Sequence, residues 1–218
     1  MRDAYTHQLE SIVDDMVSMT RTVRSAVEQA TQALLEADAS AAEAVIAGDK
    51  VIDDARDRVE ETSFELLATQ QPVAGDLRML VATLRIVADL ERMGDLAVHV
   101  AKIARMRMPE RAVPPILRPT IANMAETAER MVDKTARIIA DRDVDAALAL
   151  EAEDEEMDRL RRSMFRILLD EDWPHGVEPA IDLALLGRYY ERIADHSVSM
   201  ARRVVYLVTG EHPAAVDA

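Results

Sequence analysis

The sequence carries two copies of one pattern, and this duplication limits the fold more than any other feature. Displaced by 105 residues, Met16 falls on Ile121, Met19 on Met124, Val27 on Val132 and Leu34 on Ile139. The same displacement carries Asp38 to Asp143, Asp49 to Asp154, Ile52 to Met157 and Asp53 to Asp158. Further along it becomes 100. Glu91-Arg92-Met93-Gly94-Asp95 then lies on Glu191-Arg192-Ile193-Ala194-Asp195, with Val98 on Val198 and Ala101 on Ala201. The missing five residues are absorbed in the turn before the last segment.

Each copy reads as helix. Leu9, Ile12, Val13, Met16, Met19, Val23, Val27, Ala30 and Leu34 recur at steps of three and four, which is one apolar stripe on a long helix. Only six glycines and eight prolines occur, with no proline before Pro72 and none between Pro119 and Pro174. Such sparse punctuation predicts six helices, near 3–37, 40–69, 74–107, 116–141, 144–171 and 178–208. Asp38 and Asp143 mark short breaks where a helix restarts. Gly48 is a candidate weak point inside the second helix. Pro109, Pro114, Pro115 and Pro119 form the strongest break in the chain, and the domain boundary is placed there. The expected fold is all-α: two tandem antiparallel three-helix bundles, residues 1–110 and 111–218, related by internal duplication.

Composition narrows the function. Acidic residues number 41 against 26 basic, a net charge of −15. Such a chain lacks the basic face that nucleic acid requires. Cysteine is absent, which removes disulfides, thiolate zinc sites and a cysteine nucleophile. No apolar run is long enough to span a bilayer and no signal-peptide core opens the chain, so a cytoplasmic protein is expected. There is no phosphate-binding glycine loop, no GxGxxG and no GxSxG. The five histidines show neither HExxH nor Glu-x-x-His spacing, which argues against a ferritin-like di-iron centre. The expectation is a protein that is not an enzyme.

Paired carboxylates remain. Acids at i and i+4 share one helix face and repel each other; a hard cation reverses the sign of that interaction. Single pairs arise by chance in so acidic a chain. Recurrence at repeat positions selects Asp49/Asp53 with Asp154/Asp158, and Glu91/Asp95 with Glu191/Asp195. These eight are the candidate metal ligands, with His196, Arg92 and Arg192 as candidate supporting neighbours. The competing reading is a solvated acidic face that Arg92 and Arg192 neutralise. The methionines follow the apolar stripe and read as core filler. Arg105, Arg107, Arg202 and Arg203 near two helix ends read as dipole complements or as a small basic patch.

The same residues resemble a known family. Gln71-Pro72-Val73-Ala74-Gly75-Asp76-Leu77-Arg78, then Ala88-Asp89-Leu90-Glu91-Arg92-Met93-Gly94-Asp95-Leu96-Ala97, are similar to the PhoU family of phosphate-signalling regulators. So are Ala44 to Asp53 and the second copy, Tyr190-Glu191-Arg192-Ile193-Ala194-Asp195-His196. The resemblance runs from about Tyr5 to Gly210. It implies two three-helix bundles side by side and a cytoplasmic negative regulator of the phosphate-starvation response. It implies partners: the high-affinity phosphate ABC transporter through its ATPase subunit, a sensor histidine kinase, and a second copy in a homodimer, with the membrane reached only through partners. It further implies metal clusters, of iron, zinc, manganese or magnesium, on E(D)xxxD motifs, which here fall on Glu91/Asp95 and Glu191/Asp195 beside Asp49/Asp53 and Asp154/Asp158. The chain departs from the family's E-R-I-G-D at Ala194, where the first copy keeps Gly94, so the two sites are not expected to be equivalent. A ferritin-like metal enzyme and a generic helical adaptor are the competing classes.

Overall fold

Two breaks at matching places in the repeat set the first helix boundaries. Asp38 and Asp143 stand in extended conformation, and their side chains accept from the backbone N–H of Ala41 and Ala146 at 3.0 and 2.9 Å. Each caps a helix start that would otherwise leave donors unpaired. Ala37 and Arg142, one residue earlier, take positive φ of 58° and 53° and turn the chain back on itself. In the computed structural model, which describes residues 2–211, the helices are α1 (Arg2–Glu36), α2 (Ala39–Gln70), α3 (Ala74–Arg107), α4 (Arg118–Asp141), α5 (Val144–Leu168) and α6 (Val177–Thr209). No strand forms among the described residues.

Two boundaries differ from the expectation by more than one residue. The fourth helix starts at Arg118 rather than 116, because Pro115–Leu117 form one tight 3-10 turn ahead of it. The fifth ends at Leu168 rather than 171. There the Asp170 carboxylate accepts from the Asp172 N–H at 3.0 Å, and Trp173 Nε1 donates to the Gly176 carbonyl at 2.8 Å; these local bonds compete with further helix. At Gly48 the helix runs on without interruption.

Packing repeats as the sequence does. Helices α1, α2 and α3 pack on one another, as do α4, α5 and α6. Across the two halves α1 packs on α4, and α3 on α6. The four form the centre, with α2 and α5 on the outside. Contacts between α3 and α6 run antiparallel: Arg107 meets Asp182, His99 stacks on Tyr189 and His196 meets Asp89. That pattern is a local twofold passing close to Gly94 and Ala194.

One apolar core crosses both halves. It includes Ile12, Val23 and Leu34 of α1, Leu90 and Met93 of α3, Met124 and Met131 of α4, and Ile193 of α6. The methionines Met16, Met19, Met79, Met124, Met131, Met157 and Met164 are all buried in it, as their stripe predicts. The proline-rich connection folds back onto it: Ala112, Val113 and Leu117 are buried. Arg111 and Arg118 both donate to the Leu35 carbonyl, at 3.0 and 2.8 Å, which satisfies an acceptor at the end of α1. At the centre, the Tyr190 hydroxyl lies 2.8 Å from Thr31 Oγ1 and ties α6 to α1.

Candidate functional site

Period and packing bring the eight acids together as two groups of four. Asp49 and Asp53 are one turn apart on α2, and Glu91 and Asp95 one turn apart on α3. Packing of α2 on α3 sets these pairs against each other. In the second half α5 carries Asp154 and Asp158, and α6 carries Glu191 and Asp195. Rigid helices, not loops, hold every one of them.

Charge is poorly balanced on both ledges. Burial pushes the Asp49 carboxyl up, and the charges of Asp53 and Asp95 push it further, against Lys102 and His99. Glu91 is raised by burial and then by Asp95, with Arg92 and Arg56 opposing. On the second ledge, Asp195 is raised by burial and by Glu191. Asp154 is pushed up to about 6, by burial first and then by Asp195, Asp158 and Glu191. On both ledges burial and mutual repulsion outweigh the cations nearby.

The glutamates do have partners. Arg56 Nη1 lies 3.6 Å from Glu91 Oε1, and Arg92 Nε 3.6 Å from Glu91 Oε2. Arg92 also bonds Asp95 at 3.0 Å. Arg161 reaches Glu191 Oε1 at 2.9 Å, and Arg188 bonds Glu191 Oε2. Glu191 is thus held by Arg161 and Arg188, while Arg192 is exposed and forms no ion pair with it among the described residues. His196 also turns elsewhere. Its Nδ1 lies 3.1 Å from Asp89 Oδ1 across the α3–α6 seam, where Arg203 bonds Asp89 Oδ2 at 2.9 Å. Asp89 is held below the usual carboxylate range by these bonds, which outweigh its burial.

Of the four terminal arginines, Arg105 and Arg107 stand in the last turn of α3, where they complement its dipole, and all four are engaged by acids rather than free. Arg105 pairs with Glu43, Arg107 with Asp182 and Glu178, Arg202 with Glu151, and Arg203 with Asp89. Three of these pairs, two through Arg107 and one through Arg203, lock α3 to α6.

Arg56 and Arg161 were missed in the sequence, yet the signal was present. They are themselves repeat mates at the 105-residue displacement, so the repeated unit is Asp-x-x-[Ile/Met]-Asp-x-x-Arg.

Oxygen-only donors from two facing helices are what iron, manganese or magnesium take, so the chemistry of each ledge fits a hard cation. As the side chains stand, no three His, Asp or Glu among the described residues converge on one ion.

A family model for the PhoU domain matches twice, at residues 16–104 and 121–204. The chain belongs to the PhoU family. Its two matches fall one on each repeat. A Mycobacterium tuberculosis relative, phosphate-specific transport system accessory protein PhoU homolog 2, is 44% identical over 98% of this chain and 100% of its own length. An Aquifex aeolicus PhoU homolog is 34% identical over 94% of this chain and 92% of its own. Among solved structures, PhoU from Pseudomonas aeruginosa superposes with a TM-score of 0.88 at 30% identity, covering 95% of this chain and 100% of that one. PhoU membership and these neighbours agree with the tandem helical bundle expected from the repeat. Among the described residues no helix is long and apolar enough to cross a membrane.

Proposed function

We propose that this chain is a cytoplasmic accessory regulator of phosphate uptake. It couples a high-affinity phosphate ABC transporter, through the ATPase subunit, to a sensor histidine kinase, and holds the phosphate-starvation response off when phosphate is plentiful. The observation that supports this most is the PhoU match on both repeats, together with 44% identity over nearly the whole chain to a relative named for the phosphate-specific transport system. The chain acts without catalysis, as a homodimer: it binds one state of its partners better than the other and shifts their equilibrium by that difference. Each repeat, 1–110 and 111–218, contributes one acidic ledge. Deleting the gene tests the role. The starvation response is expected to stay on in high phosphate; ordinary repression in the deletion strain rejects the reading.

The ledges are also proposed to bind metal: Glu91, Asp95, Asp49 and Asp53 in one repeat, and Glu191, Asp195, Asp154 and Asp158 in the other. The rise of Asp154 to about 6 supports this, because a cation there relieves three like charges at once. Iron, zinc, manganese and magnesium are the candidates. The test is the metal content of protein purified without chelator, wild type against the fourfold E91Q/D95N/E191Q/D195N variant. Loss of bound metal in the variant is expected, and unchanged content rejects the sites.

A further inference from the structure

Helices α2 and α5 are repeat mates, yet one exposed strip on each carries the opposite charge. At the 105-residue displacement the ledge positions keep their sign: Asp49 and Asp154, Asp53 and Asp158, Arg56 and Arg161. The neighbouring strip inverts it. Lys50 corresponds to Glu155, Asp54 to Arg159, Asp57 to Arg162 and Glu61 to Arg166. Steps of four, three and four put these positions on one helix face. All of these side chains are exposed.

An apolar residue closes each strip. Phe64 is 58% exposed, and its mate Leu169, one residue past the end of α5, is 80% exposed. Leu169 still donates its N–H to the Phe165 carbonyl at 3.0 Å, so it continues the helical path. The pair beyond, Glu65 and Asp170, keeps its sign. Asp170, however, belongs to the turn after α5, where its carboxylate accepts from the Asp172 N–H.

Neither strip is neutralised by the rest of its own chain. Helix α2 packs on α1 and α3, and α5 on α4 and α6. Asp54 and Asp57 pair with Lys50 and Arg56 of their own helix, at 2.9 and 2.7 Å; pairs so exposed contribute little. Among the described residues Arg159, Arg162 and Arg166 form no ion pair. Arg166 stands in the last turn of α5 and complements its dipole. Arg159 and Arg162 lie further back, where the dipole gives no reason for them. In a chain of net charge −15, an unpaired arginine strip is matched by an anionic surface of the same spacing. Helix α2 carries that surface.

We propose that the α2 strip of one chain docks on the α5 strip of a second copy. Whichever way the two helices run, Asp54, Asp57 and Glu61 meet Arg159, Arg162 and Arg166. In the parallel register Lys50 also meets Glu155, and Phe64 covers Leu169. In a twofold dimer the contact forms twice, because each copy offers one strip of each sign. Both copies are acidic overall, but salt screens that repulsion over about 8 Å, and the complementary strips decide the contact. None of the acids assigned to metal takes part. This inference deepens the homodimer reading above and rests on it.

The test exchanges the charges of the two strips and reads oligomeric mass by sedimentation equilibrium on the full chain. K50E/D54R/D57R/E61R gives α2 the charges of α5, and E155K/R159D/R162D/R166E does the converse. The wild type is expected to dimerise. Each variant alone has two like strips and should dimerise about tenfold or more weakly. An equimolar mixture of the two should form a heterodimer near wild-type strength, and a chain with both exchanges should again dimerise with itself. Every substituted position is exposed, and an unchanged helical circular dichroism signal confirms folding. D57R and R162D, alone and mixed, serve if either fourfold variant unfolds. Wild-type dimers that neither exchange weakens overturn the proposal and leave the homodimer standing through another face. Weakening that mixing does not reverse also overturns it. A wild type that stays monomeric at every concentration overturns the proposal and the homodimer reading together; the regulatory role is judged separately, by the deletion strain.

Discussion

Placing a methyl group at position 94 separates close packing from helix propensity. Gly94 lies mid-helix in α3, where Ala is favoured by about 0.5–1 kcal/mol. A Cβ built there stands 2.9 Å from Ile52 Cδ1, and 3.3 Å from both Ile52 Cγ2 and Asp49 Oδ1. Carbon atoms prefer about 3.5–4.0 Å. Ile52 is fully buried, and its branched Cβ holds χ1 in one rotamer on a helix, so it cannot withdraw both methyls together. Overpacking of this kind costs about 1–3 kcal/mol. The packing cost exceeds the propensity gain, and G94A is expected to be destabilised by about 0.5–2 kcal/mol. The second repeat shows the remedy. It carries Ala194, and Met157 takes the place of Ile52; both are fully buried. A methionine has three rotatable bonds and bends round the added methyl. I52M alone should cost less than about 1.5 kcal/mol, and I52M/G94A should recover most of the loss. Guanidinium denaturation followed by circular dichroism gives the four stabilities of the cycle. A coupling of about 1 kcal/mol or more is expected between the sites. If G94A matches the wild type and the two changes simply add, the contact does not govern this position.

Two further substitutions probe the ledge and the seam. D154N should stabilise the fold at about pH 8, because the native state there carries a carboxylate it disfavours. The rise from 3.8 to about 6 amounts to about 3 kcal/mol in full, and solvent screening of this half-exposed group reduces it to about 1 kcal/mol. A raised acid means that the native state binds its proton more tightly. The wild type therefore gains stability as pH falls through 6, and its gap from D154N should close below about pH 4; melts across that range check it, and a gap that widens in acid contradicts the assignment. At the centre, Thr31 Oγ1 donates to the Val27 carbonyl and so accepts from the Tyr190 hydroxyl. Y190F loses one bond, about 1 kcal/mol, whereas T31V strands a buried hydroxyl at about 1–3 kcal/mol; equilibrium denaturation showing Y190F as the worse of the two would refute this reading of the bond.

Much of this molecule was legible because its information is local or repeated. The caps at Asp38 and Asp143 needed only an aspartate before an apolar stripe. The end of α5 needed more, since Asp170 and Trp173 stop the helix through bonds that propensity does not report. Both acidic ledges are legible in the displacement of the sequence on itself, and the same displacement holds Arg56 and Arg161, whose positive charge lies outside an acid-only pattern. Arg192 was assigned from its neighbour Glu191, yet adjacent helical residues point about 100° apart, while Arg188 and Arg161 lie on the right faces. Contacts across the α3–α6 seam had no sequence signal at all. Asp89 and Arg203 are 114 residues apart, and their pairing depends on how the two halves turn toward each other.

Duplication gives two ledges, and divergence has made them unequal in a direction the charges define. On the first, Arg92 bonds Asp95 directly, and Lys102 and His99 temper Asp49. On the second, Arg192 forms no ion pair among the described residues, Arg202 is engaged by Glu151, and Ser199 replaces the histidine at the mate of His99. On the second ledge burial first, and then Asp195, Asp158 and Glu191, push Asp154 up to about 6. On the metal-binding proposal, D154N/D195N should therefore lower the metal content of protein purified without chelator more than D49N/D95N does, because Arg92 already bonds Asp95 while no ion pair engages Asp154 or Asp195 among the described residues; equal loss from the two variants refutes the ranking.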